Sequence, residues 1–225
     1  ETDGVPTDND VSTANFAGVF SNTPVYGADG AGTTVMSYAL SLNVVEGSDS
    51  NLDSNGVQIN LFQLADGTIV GATGNVEPAT ATAANVVFSI AVNSVTGEVT
   101  LTQRQEIDHA LPGSSSSYDT QLATLANGLV NLTATALTTD GDGDTATNSA
   151  TIDLGGNVRF ADDGPSVTVT AGSDAAVLLT TQDAETDGVP TDNDVSTANF
   201  AGVFSNTPVY GADGAGTTVM SYALS

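Results

Sequence analysis

Alternation of apolar and polar side chains dominates the chain. From Thr34 to Val44, in Thr34-Val35-Met36-Ser37-Tyr38-Ala39-Leu40-Ser41-Leu42-Asn43-Val44, apolar side chains recur with a period of two, the period of a strand with one buried face. Runs at 57–64, 86–92, 98–103, 129–137, 146–154 and 166–170 are likewise rich in Val, Ile, Thr and Leu and are bounded by Gly, Asn, Asp or Pro, as strands are. Thr, Ser, Gly, Asn and Asp elsewhere disfavour helix, and only 119–126 offers a short helical turn. The pattern predicts an all-β fold, an immunoglobulin-like antiparallel β-sandwich.

Residues 1–41 recur letter for letter as residues 185–225, a period of 184. A perfect match of that length points to tandem repeat domains in the parent protein. The period exceeds the roughly 20–50 residues of a solenoid unit, so each repeat is expected to fold as its own domain. Phe160-Ala161-Asp162-Asp163-Gly164-Pro165 joins acids, Gly and Pro between two alternating runs, the composition of a linker. On that phase, residues 1–163 are one repeat domain lacking its N-terminal strand or strands, and 164–225 are the N-terminal part of the next. The expected partners are therefore neighbouring repeats of the same protein. An unpaired sandwich edge also invites self-assembly by strand addition, with residues 164–184 as the donor; the alternative is that the ends mark a cut through a continuous array.

Charge changes the picture more than hydropathy does. Twenty-seven acidic residues face only Arg104 and Arg159, with no lysine, for a formal net charge of -25. Twenty-two of the acids and both arginines fall within residues 1–184, so each period carries -20. Self-repulsion of that size destabilises a compact chain unless salt or bound cations offset it. The same balance excludes nucleic acid and anionic membrane surfaces, which are met by clustered Lys and Arg. No apolar run has the length of a membrane span, so no membrane insertion is expected. The absence of cysteine removes disulfides, thiolate catalysis and zinc-thiolate sites together.

Catalytic signals are poor. His109 is the only imidazole and no G-x-S-x-G turn is present, so a Ser-His-Asp arrangement has no nucleophile elbow to rest on. A phosphate-cradling G-x-x-x-x-G-K-[ST] loop is impossible without lysine. His109 is expected to be structural, bonded near Asp108 or Tyr118, and the chain is expected not to be an enzyme.

The sharpest local motif is Asp140-Gly141-Asp142-Gly143-Asp144 between two predicted strands. Acids at alternate positions, with glycines that permit tight curvature, can wrap oxygens around a hard cation at about 2.3–2.6 Å. The EF-hand pattern fails beyond its start, because the sixth position is Thr145 and the twelfth Thr151. A calcium loop on a β-hairpin and a solvated acidic turn both remain open. Asp162 and Asp163 lie in the expected linker, where an ion would stiffen the joint. Glu185, Asp187, Asp192 and Asp194, with their copies Glu1, Asp3, Asp8 and Asp10, either complete such sites or form a polar exposed loop. Glu46, Asp49 and Asp53 are spaced too loosely to favour a site.

Several segments taken in order are more specific than any one of them: Asn55-Gly56-Val57-Gln58-Ile59, Gly67-Thr68-Ile69-Val70-Gly71, Val87-Phe88-Ser89-Ile90-Ala91-Val92, Thr96-Gly97-Glu98-Val99-Thr100-Leu101-Thr102-Gln103, Ile107-Asp108-His109, the Asp140 loop and Asp162-Asp163-Gly164-Pro165. Over nearly the whole period the chain resembles the large repeats of type I-secreted RTX adhesins. The resemblance implies secretion by Gram-negative bacteria to the cell surface, a β-sandwich extender domain, and Ca2+ that rigidifies the array. It places the calcium loop and linker ligands at Asp140, Asp142, Asp144, Asp162 and Asp163. The glycine-rich nonapeptide G-G-x-G-x-D of that family is absent, which sets this segment apart from the family's β-roll. The expected function is a calcium-stiffened spacer that projects a distal ligand-binding region for attachment or biofilm formation. The alternatives are a repeat that itself contacts a sugar, ice, a mineral or a cell surface, which predicts an exposed aromatic or flat Thr-rich patch, and a strand-exchanged extracellular filament.

Overall fold

A computed structural model describes residues 10–28, 30–110, 122–161, 164–183, 188, 193–210 and 216–224. Its strands are β1 (Asp10–Asn15), β2 (Thr33–Leu42), β3 (Ser48–Ser54), β4 (Val57–Gln63), β5 (Ile69–Thr73), β6 (Val86–Val92), β7 (Glu98–Gln103), β8 (Ala123–Thr124), β9 (Val130–Thr139), β10 (Thr145–Asp153), β11 (Arg159–Phe160), β12 (Ser166–Ala171) and β13 (Phe204–Val209). One sheet has the order β1-β7-β6-β5-β4-β3 and a second the order β10-β9-β2, with every neighbouring pair antiparallel. Two short pairs, β11-β8 and β12-β13, complete the description.

The fold is the all-β antiparallel sandwich that the alternation predicts. Tyr38 and Leu40 of β2 and Leu132 and Ala134 of β9 meet Ile59, Leu61, Ile69, Phe88, Ile90 and Val99 of the larger sheet in one core. Period-two alternation does this directly, because every second side chain of a strand points to the same face. The centre of the larger sheet is covered on its other face too. There Phe62, Leu64, Val70, Ala72 and Val86 pack under Ala81 and Ala83 of the β5–β6 connection. Asn60, buried in β4, holds that cover by donating to the Gly74 carbonyl at 2.8 Å and to Asn75 Oδ1 at 3.1 Å.

Three strands escape the alternation for different physical reasons. β1 is an exposed edge strand with both faces in water, so nothing in Asp10–Asn15 needs to alternate. β3 turns Ser50, Leu52 and Ser54 inward, and its buried Ser50 hydroxyl bonds the Ile59 carbonyl at 2.7 Å, beside a register shift between Asp49 and Asp53. β5 is buried on both faces and therefore reads as a short continuous apolar run.

Two expectations are corrected. Ala123–Thr124 are not part of a helical turn; they pair with Arg159–Phe160, where ladder hydrogen bonds satisfy the backbone, while 119–121 lie outside the described residues. Phe160 is not linker. Its ring is buried against Phe88, centroids 5.1 Å apart, so the sandwich extends through β11. Among the described residues, no helix is long and apolar enough to cross a membrane.

Candidate metal centre

The acidic loop joins β9 to β10, whose register runs from Asn131↔Asp153 to Thr139↔Thr145. Pairing of Thr139 with Thr145 leaves five residues to turn the chain, and the Asp140 amide donates to the Asp144 carbonyl at 3.0 Å across the neck. Gly143 has φ 99°, a left-handed conformation that favours glycine. Asp140 Oδ1 accepts the amides of Asp144 at 2.8 Å and Gly143 at 3.2 Å. One carboxylate thus shapes the loop and faces the other two.

Asp140, Asp142 and Asp144 each bring a carboxylate oxygen within 4.8 Å of the others, with Asp140 half-buried and the other two exposed. Oxygens around a calcium ion at about 2.4 Å lie up to about 4.8 Å apart when opposed, so one ion can touch all three. Three carboxylates supply at most six of the six to eight oxygens that calcium takes, and water or backbone carbonyls complete such a shell. A hydrogen bond with the Asp142 side chain, and then the amides of Asp144, Gly143 and Asp142, holds the Asp140 carboxyl below its ordinary range, against a smaller opposing effect of burial. A cation among the three carboxylates relieves their mutual repulsion.

Gly32 props the loop from the side. A Cβ there would lie 1.7 Å from the Thr139 carbonyl oxygen, so the segment leading into β2 approaches the start of the acidic loop with no room for a side chain. The sequence shows Gly32 only as one more loop glycine.

Asp162, Asp163, Asp187 and Asp192 lie outside the described residues, as do Glu1, Asp3, Asp8 and Glu185. Asp194 Oδ2 accepts the Gln182 amide at 2.6 Å and so closes a loop of its own. Asp10 opens β1 opposite Gln103. Among the described residues, Asp140, Asp142 and Asp144 form the only group of three converging metal-ligand side chains.

Other carboxylates are committed to the backbone, which composition alone does not reveal. Asp108 accepts the amides of Asn55 at 2.9 Å and Gly56 at 2.7 Å and so clamps the β3–β4 turn. Asp153 accepts Gly128 at 2.6 Å and Gly155 at 2.9 Å. His109 Nε2 meets the Phe160 carbonyl at 3.1 Å, while Tyr118, one of its expected partners, lies outside the described residues. Arg159 Nε donates to the Gly156 carbonyl at 3.1 Å, and Arg104 Nε is buried with no hydrogen-bond partner among the described residues.

The family model described as Domain of unknown function (DUF5801) matches residues 1–155. The chain belongs to this family. The DUF5801 match spans β1 to β10 and includes the whole acidic loop. No curated protein and no solved structure matches the chain.

Proposed function

We propose that the chain is a structural extender segment of a secreted, cell-surface adhesin, in which repeated sandwich domains stiffened by calcium hold a distal ligand-binding region away from the cell. The letter-for-letter recurrence of 41 residues at a period of 184 carries this reading. Copies kept identical suit a part that sets length, where each unit does the same mechanical task. The charge of -25 and the three converging carboxylates add a reason for the domains to hold cations. Nothing in the reading calls for catalysis.

Thermal melting of the chain in calcium and then in chelator tests it. A bound ion stabilises the folded state by mass action, so the midpoint is expected to fall on chelation, and the difference to vanish in Asp140→Asn/Asp142→Asn. A midpoint indifferent to calcium sinks the metal centre. Small-angle scattering of a chain of several repeats then reads stiffness, and equal flexibility with and without calcium removes the ion from the mechanism.

A second reading has one specific observation in its favour. The outer face of the β10-β9-β2 sheet is rich in hydroxyls, with rows such as Thr145-Thr139-Thr33 and Thr151-Thr133-Ala39 across the three strands. Thr133 and Thr151 hydroxyls touch at 2.8 Å on this exposed face. Such a face suits contact with an ordered polar surface, whether a polysaccharide, a mineral or ice. Retention of the chain on such a solid, lost in Thr135→Lys/Thr147→Lys, would favour it over a spacer.

A further inference from the structure

Asn-Gly occurs twice in the chain, at Asn55-Gly56 and at Asn127-Gly128. This pair is unusually prone to lose the side-chain amide, because glycine leaves its backbone nitrogen open to approach. That nitrogen bonds to the asparagine Cγ, its proton passes to the departing side-chain nitrogen, which leaves as ammonia, and water then opens the cyclic imide to aspartate or isoaspartate. Both asparagines are exposed. At the β3–β4 hairpin the pair is also what the backbone favours: Ser54 pairs with Val57, so Asn55 at φ 50° and Gly56 at φ 71° turn the chain alone.

At both places the two groups that must meet are tied to other partners. Gly56 N–H donates to Asp108 Oδ2 at 2.7 Å, and Asn55 Nδ2 donates to the Glu106 carboxylate. Gly128 N–H donates to Asp153 Oδ2 at 2.6 Å, and Asn127 Oδ1 accepts the Gly156 amide at 2.8 Å. One site is a hairpin and the other the entry to β9, yet each sets a carboxylate on the glycine amide and a second group on the asparagine side chain. We infer that Asp108 and Asp153 are guards that keep these two asparagines from closing to the imide. Attack requires the glycine nitrogen to give up its proton and to swing onto Cγ. A carboxylate bonded to its N–H opposes the first by charge, since an anion would form beside an anion, and the second by holding the nitrogen in place. Closure is therefore confined to the moments when the clamp is open, and its rate falls by that fraction of time. Each conversion so prevented would add a negative charge to a chain already at -25. As isoaspartate it would also add a backbone atom to a turn that sets strand register.

The test holds the full chain and its Asp108→Ala and Asp153→Ala variants at mildly alkaline pH and follows conversion at each asparagine by peptide mass mapping, with the chain in urea setting the unguarded rate. In the folded parent chain both sites are expected to convert roughly tenfold or more slowly than in urea, the weight of one hydrogen bond to a charged group. Asp108→Ala is expected to raise the rate at Asn55 alone by a similar factor, and Asp153→Ala at Asn127 alone, so each site serves as the other's control. An unchanged rate at the site that lost its carboxylate overturns the guard, and so does a slower one, which would make the carboxylate a base that assists the attack. A rise at both sites in one variant overturns it as well, because the fold and not the carboxylate then protects. Amide hydrogen exchange of the parent chain decides without any variant: protected Gly56 and Gly128 amides are expected, and exchange as fast as in urea overturns the clamp.

Discussion

Residues 10–41 and 194–225 carry one sequence in two settings. Contacts made within the repeated segment recur in both. The turn at Ala17–Val19 recurs at Ala201–Val203, opened by Asn15 and Asn199, each accepting the amide two residues on at 2.9 Å. Phe20 meets Tyr38 at 6.0 Å and Phe204 meets Tyr222 at 5.9 Å, while Tyr26 with Thr34 and Tyr210 with Thr218 both make hydroxyl bonds of 3.1 Å. Contacts with residues outside the segment differ. The first copy supplies β1 to β7 and β2 to β9, whereas the second forms β13 against β12. Tyr38 is 7% exposed and Tyr222 55%; Leu40 is 4% exposed and Leu224 fully so. Strand identity here is a property of the partner as much as of the segment, because a strand's backbone groups are satisfied only by another strand.

The largest expected test of that contrast is truncation of the tyrosine in each copy. Tyr38→Ala is expected to cost about 3–5 kcal/mol, a fall in melting temperature on the order of 10 °C. Tyr222→Ala is expected within about 0.5 kcal/mol of the parent chain by urea unfolding. Equal losses would mean that the second copy also rests in a core. Next comes the paired glycine. Gly32→Ala drives a Cβ into the Thr139 carbonyl, and a loss of about 3 kcal/mol is expected together with weaker calcium response. Among the described residues Gly216→Ala meets the side-chain ring of Tyr210, at 3.1 Å and beyond, and is expected to be nearly silent.

The smallest effect expected is on acidification. Asp140 has a lowered pKa in the folded chain, so its contribution is complete above the ordinary carboxylate value of 3.8 and is lost as pH falls through the lowered folded value. The calcium-dependent part of the melting temperature, followed in steps of pH, is therefore expected to persist at pH 5 and to disappear only in that acid range. Among the described residues the first copy approaches this loop through Gly32, so signals from Tyr222 are expected to ignore calcium at every pH. A calcium-dependent change at Tyr222 would erase the distinction between the two settings.

Legibility along the chain follows burial. Strands with one wet face, such as β2 and β9, announce themselves by alternation, and β6 and β7 lie where their apolar runs place them. β1 and β3 carry too few apolar residues to be seen, because an edge and a bulged strand draw on backbone pairing more than on side-chain burial. The acidic loop is legible from spacing alone, since alternate acids on a five-residue hairpin connection converge with little help from the rest of the fold. Asp108 and Asp153 are not: what separates a ligand carboxylate from a turn clamp is which amide lies opposite, and Asn55, Gly56 and Gly128 are brought there by pairing across dozens of residues.

The sequence by itself determines the all-β class, the period of 184, the negative charge and the local turns that both copies share. Tertiary structure alone decides which strands meet, β1 against β7, β2 against β9 and β13 against β12. The reason is range: turns and neighbouring rings are fixed by torsions and contacts within a short stretch of chain, while strands and cores are completed by residues that β7, β9 and β12 bring from far away.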